Sequence, residues 1–333
     1  MPTTERNEQG RIRLLLVGVL VLVVGAVAVL VVRLGAGPLP DPEGCRADVG
    51  DVTVELSTTQ AQNAALIAAI AVRRGLPARA ASIALAAAFQ ESKLENLTGG
   101  DRDSVGLFQQ RPSQGWGTRA QILDPPYAIN RFYDALTKVD GYQSLPITVA
   151  AQRVQRSGYP DAYEQHEAGA RALASALTGW SPAKFSCVVH ATSGPDQKPG
   201  SSGLTPRAAR VRADLEAAFG PLPLGGFARG GVTTGHLPGS AHDDGRAIDV
   251  FVRPADAAHR RLGWAIAAYL VAQASRLGIQ HVIFDGRIWT AGRSSESGWR
   301  AYHPPTTSSS AATTAILEHR DHVHVDVGTH GSN

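Results

Sequence analysis

The stretch Ser240-Ala241-His242-Asp243-Asp244-Gly245-Arg246-Ala247-Ile248-Asp249 sets a histidine and an aspartate seven residues apart. Some seventy residues later, His319-Arg320-Asp321-His322-Val323-His324 adds a histidine pair at i, i+2. A catalytic zinc site takes three protein ligands and keeps a fourth position for water, and this spacing can supply them. If the second segment is a strand, His322 and His324 share one face, because strand side chains alternate with period two. Nine of the eleven histidines lie at or after His236, so the chemistry of this region differs from that of the rest of the chain. His236, His259, His281, His303 and His330 carry no such spacing and read as ordinary surface or core residues.

Around this segment the sequence organises itself by periodicity and punctuation. Thr205-Pro206 is an N-cap followed by proline at the first helical position, and that helix ends at Gly220. Asp256 to Leu277 reads as a long helix stopped by Gly278, and 281–290 as a hairpin around Asp285-Gly286. Val323 to Val327 is the final strand, and 306–314 reads as an exposed loop. Upstream, Ser193 to Gly203 is a linker by composition. Before it come helices over 60–74, 78–93, 124–136, 146–155 and 162–177, with few strand signals.

Leu14 to Val32 holds nineteen residues without charge or proline, flanked by Arg13 and Arg33. At about 1.5 Å per residue it would span roughly 28 Å, near the thickness of a bilayer core. With Arg6, Arg11 and Arg13 ahead of it, the reading is an uncleaved anchor, N-terminus cytoplasmic and the rest extracytoplasmic. A cleaved signal peptide competes with it, since Ala36 and Gly37 are small residues after the run. The two cysteines, Cys45 and Cys187, then fall on the oxidising side and are expected to form a disulfide. Net charge is only +3 and the basic residues are scattered, which argues against a nucleic-acid partner. The expected fold class is therefore multidomain. A cytoplasmic tail (1–12), a transmembrane helix (13–34) and a stalk (35–54) precede a mainly α domain (55–179). A linker (180–204) and an α+β domain with a small antiparallel sheet (205–329) follow.

Within the helical region, Phe89-Gln90-Glu91-Ser92 closes an apolar helix, and Ser104-Val105-Gly106-Leu107-Phe108-Gln109-Gln110 follows twelve residues on. A carboxyl group among apolar side chains is kept protonated more easily and can then donate to a glycosidic oxygen. Glu-Ser followed by Gly-Leu-Phe-Gln resembles the soluble lytic transglycosylase and goose-type lysozyme superfamily over roughly 55–178. That resemblance implies a lysozyme-like domain with Glu91 as acid/base, and Ser92, Gly106 and Gln109 building a glycan cleft. It also places Asn130 at the family's helical asparagine. Val154-Gln155-Arg156-Ser157-Gly158-Tyr159 departs from the family's usual Ala-Tyr-Asn-Ala-Gly. Asp101 and Asp103 either position a water or belong to a surface loop.

The pattern Ser-x-His-x-x-Gly-x-Ala-x-Asp from Ser240 to Asp249 resembles the zinc D-Ala-D-Ala carboxypeptidases. His319-x-x-His322-x-His324 is similar to the murein endopeptidases, which share their metallopeptidase fold. The resemblance covers about 205–328. It implies Zn2+ as cofactor with His242, Asp249 and His324 as metal ligands, and two imidazoles with one carboxylate suit that ion. It offers Asp321 as general base in the carboxypeptidase pattern, and His322 or His319 in the endopeptidase pattern. Arg229 is the nearest candidate to polarise the scissile carbonyl. Both resemblances imply one substrate, peptidoglycan, and a membrane-anchored bifunctional hydrolase. The rival reading is a non-catalytic wall-binding protein.

Overall fold

The alanine-rich segments that periodicity assigns to helices become helices because each has an apolar neighbour to cover it, and α2 is also capped by a side chain. A computed structural model describes residues 16–27, 41–159, 161–191, 194–232, 236, 239–304 and 310–329. Residues 16–27 form helix α1. Helix α2 (Thr58–Arg73) starts with a capping box in which Ser57 and Gln60 exchange side-chain-to-backbone bonds. It is followed by α3 (Ala78–Ser92), α4 (Arg119–Ile122), α5 (Pro125–Leu136), α6 (Ile147–Gln155) and α7 (Glu167–Leu177). Pro206 begins α8 (Pro206–Phe219) behind the Thr205 cap, and Asp256 caps α9 (Ala257–Ala272) through the N–H groups of Ala258 and His259. Short helices α10 (Ala274–Leu277) and α11 (Ala311–Leu317) complete the set. The last of these occupies part of the stretch expected as a loop, while 305–309 lie outside the described residues.

Two antiparallel sheets accompany the helices. The first joins β1 (Gly44–Val49), β2 (Val52–Leu56) and β3 (Phe185–Val188) in the order β2-β1-β3. The second has six strands: β4 (Leu224–Gly225), β5 (Ala247–Phe251), β6 (Ile279–Phe284), β7 (Arg287–Thr290), β8 (Arg300–Ala301) and β9 (His322–Val327). Their order is β4-β5-β9-β6-β7-β8. The expected hairpin at Asp285-Gly286 is present: both residues have positive φ, and Phe284 pairs with Arg287 across a two-residue turn.

Two expectations are corrected. Among the described residues no helix is long and apolar enough to cross a membrane. The described part of this segment is helical over 16–27, and no described helix reaches the roughly 20 apolar residues that crossing a hydrocarbon core takes. The transmembrane helix over 13–34 and the single-pass localisation built on it are withdrawn. The tail 1–12, with 13–15, 28–34 and the first residues of the stalk, lies outside the described residues.

The second correction concerns the division into a mainly α domain and a later α+β domain. The architecture is mixed α/β. The stretch read as a stalk holds β1 and the start of β2, and the stretch read as a linker holds β3. Cys45 and Cys187 stand directly opposite each other in the β1–β3 pair and are disulfide-bonded. Helix α9 packs against α2, α7 and β3, and α8 packs against α2. One apolar core therefore runs through Pro42–Asn333. Local periodicity could not show this, because the pairing partners lie more than a hundred residues apart.

Candidate functional site

Strands β5 and β9 lie side by side, and their register sets Asp249 opposite His324 and Phe251 opposite His322. His242 arrives from the turn that precedes β5. The three expected ligands are all buried and converge at their donor atoms. His242 Nε2 lies 3.1 Å from His324 Nδ1, His324 Nδ1 lies 3.2 Å from Asp249 Oδ1, and His242 Nε2 lies 3.3 Å from the same oxygen. A tetrahedral ion with bonds of about 2.0–2.1 Å separates its donors by roughly 3.3 Å. The triangle fits one face of such a site.

Hydrogen bonds on the far side of each ring set the tautomers. His242 Nδ1 donates to the Gly226 carbonyl at 2.7 Å, which points Nε2 inward. His324 Nε2 donates to Asp326 at 3.3 Å, which leaves Nδ1 facing inward. Asp326 is held in turn by His281 Nδ1, 3.0 Å from each carboxylate oxygen. Burial lowers the His324 pKa, but its hydrogen bonds to Asp249 and Asp326 outweigh burial and raise it to about 9, so a proton stands where a cation would replace it. Burial works against the charge on Asp249, yet hydrogen bonds from His236, His242 and His324 outweigh it and hold the carboxyl far below its usual range. The donor set is therefore anionic at its carboxylate and suited to zinc.

Sequence reasoning missed Gly226. Its φ is +78°, and a Cβ there would come within 2.4 Å of the His242 ring and 2.9 Å of Asp249 Oδ2. The residue follows β4 in a Gly225-Gly226 pair, a signal of close backbone approach. Arg253 was also missed. It stacks on Phe251 and bonds Asp321 Oδ2 from Nε at 2.7 Å and from its terminal nitrogen at 2.6 Å.

Asp321, expected as general base, is engaged on both oxygens. Its Oδ1 accepts from His322 Nδ1 at 2.8 Å and its Oδ2 from Arg253. Burial raises its pKa, but these bonds outweigh burial and lower it. It is placed to orient His322, whose Nε2 reaches within 3.8 Å of Asp249 Oδ1. His319 lies beside this pair, its ring 4.6 Å from that of His322. Burial, then the neighbouring His324 and His322, bring its pKa down to about 3. Arg229 sits on an exposed turn closed by a Gly231 N–H bond to the Ala228 carbonyl. Among the described residues no hydrogen bond or ion pair joins it to the three ligands.

The second group of predicted residues gathers at the end of α3. Glu91 is half-buried and accepts a 2.6 Å hydrogen bond from the Tyr163 hydroxyl, a partner that the sequence did not reveal. It lines a cleft of about 300 Å³ together with Gln109, Asp101, Trp116 and Gln155. Ser92 is buried and donates to the Leu107 carbonyl at 2.7 Å, tying the helix end to the following turn. Gly106 makes that turn possible: at φ +82° a Cβ would come within 2.8 Å of the Ile122 carbonyl oxygen. Ser92 and Gly106 therefore build the cleft wall without lining it. Gln155, within the segment that departs from the family pattern, reaches the cleft and donates to the Phe108 carbonyl at 2.8 Å.

Asn130 stands apart from this group. It lies on α5 away from the cleft lining, its side chain bonded to Arg73, Arg74 and the Pro126 carbonyl. Asp103 is committed to Arg111 and to Ser113, through both the backbone and the hydroxyl of the serine. Asp101 is then the other carboxylate lining the cleft.

Comparison with known proteins adds one finding. The family model described as VldE, C-terminal domain, matches residues 200–313. The matched segment is about a third of the chain, contains His242 and Asp249, and ends before His322 and His324. No curated protein matches the chain.

Proposed function

We propose that this chain is a bifunctional peptidoglycan hydrolase, with a zinc-dependent amidase centre for the peptide stem and an acid-bearing cleft for the glycan strand. The observation that carries the first half is the convergence of three buried donor atoms, His242 Nε2, His324 Nδ1 and Asp249 Oδ1, each 3.1–3.3 Å from the other two. His242, Asp249 and His324 would hold the ion, and zinc bound there supplies an activated water and polarises the scissile carbonyl. Asp321 keeps the proton of His322 on Nδ1, so Nε2 faces the site as the base. There His322 takes a proton from the attacking water and returns it to the leaving amine. Arg253 holds Asp321 ionised and in place.

The second half is supported by Glu91 in its cleft. Tyr163 occupies one carboxyl oxygen and fixes its direction, leaving the second for the glycosidic oxygen. Gln109 and Trp116 offer a polar group and an aromatic face to a sugar chain.

Mass spectrometry of purified cell wall incubated with the full chain tests both halves at once. The expected result is release of sugar fragments that Glu91→Gln abolishes, and release of stem peptides that a chelator and His242→Ala abolish. Each variant should spare the other cleavage. Wall that is bound while neither sugar nor peptide is released would favour the non-catalytic wall-binding reading instead.

A further inference from the structure

We infer that His236 is a fourth, displaceable protein donor to the ion held by His242, Asp249 and His324, closing its open position in the resting protein. The inference rests on the metal-site reading above. The Asp249 carboxylate has two sides: Oδ1 faces His242 and His324, while Oδ2 lies 3.5 Å from His236 Nε2. The His236 ring stacks on that of His242, centroids 3.8 Å apart. The donor atoms of His236, His242 and Asp249 all lie within 4.8 Å of one another. Donors on a single ion are separated by at most about 4.2 Å, twice the bond length, so a small swing of the His236 ring brings it into the coordination sphere.

The hydrogen bonds show which donor yields. His242 is braced by the Gly226 carbonyl, His324 by Asp326, and Asp249 by the histidines around it. His236 has no such brace: its Nδ1 is buried and has no hydrogen-bond partner among the described residues. Four protein donors make the closed set typical of structural zinc, whereas hydrolysis needs a position for water. The weakly held imidazole is the one that substrate or water replaces. His236 thus acts as a self-ligand that keeps the centre latent until the peptide stem enters.

Replacing zinc by Co2+ in the full chain makes the coordination visible in the absorption spectrum. Wild type should show a spectrum insensitive to pH, because no water is bound. His236→Ala and His236→Gln should both gain a spectrum that titrates with pH and bind Co2+ at least about tenfold more weakly, the smaller effect expected of a lost metal-supporting group. Far-UV circular dichroism checks that both variants are folded. Unchanged spectra and affinities in both, with Co2+ binding lost in His242→Ala, would overturn the inference and leave the metal centre standing. Unchanged binding in His242→Ala would instead sink the metal-site reading itself. Two Co2+ ions per wild-type chain, falling to one in His236→Ala, would also overturn it, as His236 would then serve a separate ion.

Discussion

Asp326 receives His324 Nε2 on one side and His281 Nδ1 on the other, buried at the end of β9. Burial opposes its charge, but hydrogen bonds from His281 and His324 outweigh burial and keep it ionised. It fixes the direction of the His324 ring, a proposed ligand, and partners of this kind typically contribute 10–100-fold in metal affinity. Asp326→Asn should therefore weaken zinc binding by about that factor in a competition titration, while Asp326→Glu recovers part of the loss. Equal affinity in wild type and Asp326→Asn would show that the ring is held by other means. The proposed ligands could be singled out because their spacing is local: His242 and Asp249 are seven apart, and His322 and His324 share a strand face. Asp326 was within reach of the same argument, since it extends the i, i+2 series by one step. Gly226, Arg253 and Tyr163 were not, because only tertiary structure brings them to the sites. Glu91 was singled out by the motif around it and Asn130 by analogy alone, and the Asn130 side chain bonds Arg74.

At the scale of elements, helices were read to within a few residues, since capping and 3.6-residue spacing are written in contiguous sequence. The hairpin at Asp285-Gly286 was equally visible, because two residues with positive φ demand such types. The first sheet was not. Strand β3 was hidden beside a Ser/Gly/Pro-rich run, and its partner β1 lies at a sequence distance of 142, measured between the bonded cysteines. Cross-linking so long a loop removes unfolded-state entropy worth about 5 kcal/mol in the chain-entropy model. Reduction, or Cys45→Ser with Cys187→Ser, should lower stability to urea by roughly 2–5 kcal/mol. An unchanged urea midpoint would show that the strand pair is held by packing alone. The turn that follows α3 has its own electrostatic pin. Arg111 foremost, with Ser113, holds the Asp103 carboxyl well below its ordinary range. A depressed carboxylate contributes stability that is present above its unfolded pKa and is lost as pH falls through the folded one. Asp103→Asn should therefore cost stability at pH 6 and progressively less as the pH drops below about 4. A loss of the same size at pH 6 and at pH 2 would rule the charge out as the cause.

For the whole molecule, the question is whether the two sites sit on separable halves. Helix α2 buries Ala61, Ala64, Ala65, Ile67, Ala68, Ala69, Ile70 and Ala71, which leaves it no wide solvent face. Helix α9 buries every residue from Gly263 to Ala272. A helix that is apolar all round must be covered on more than one side, and these two cover each other. Bonds cross between the early and late parts of the chain as well: Arg73 donates to the Ala217 carbonyl, Gln273 to the Gln62 carbonyl, and Trp289 Nε1 to the Cys187 carbonyl. Uncovering even three large apolar side chains costs roughly 5–9 kcal/mol, comparable to the total stability of an ordinary domain, about 5–15 kcal/mol. Residues 42–333 should accordingly unfold in one calorimetric transition, with the ratio of calorimetric to van't Hoff enthalpy near one. A fragment beginning at Thr205 should be unfolded or aggregated when expressed alone, although it holds every expected zinc ligand. Two resolved transitions, or a folded zinc-binding fragment, would show that the halves are independent. The prediction bears directly on function, because a shared core fixes the distance between the Glu91 cleft and the His242–Asp249–His324 centre. A bifunctional enzyme built this way must cut glycan and stem at a set separation, rather than wherever a flexible tether allows.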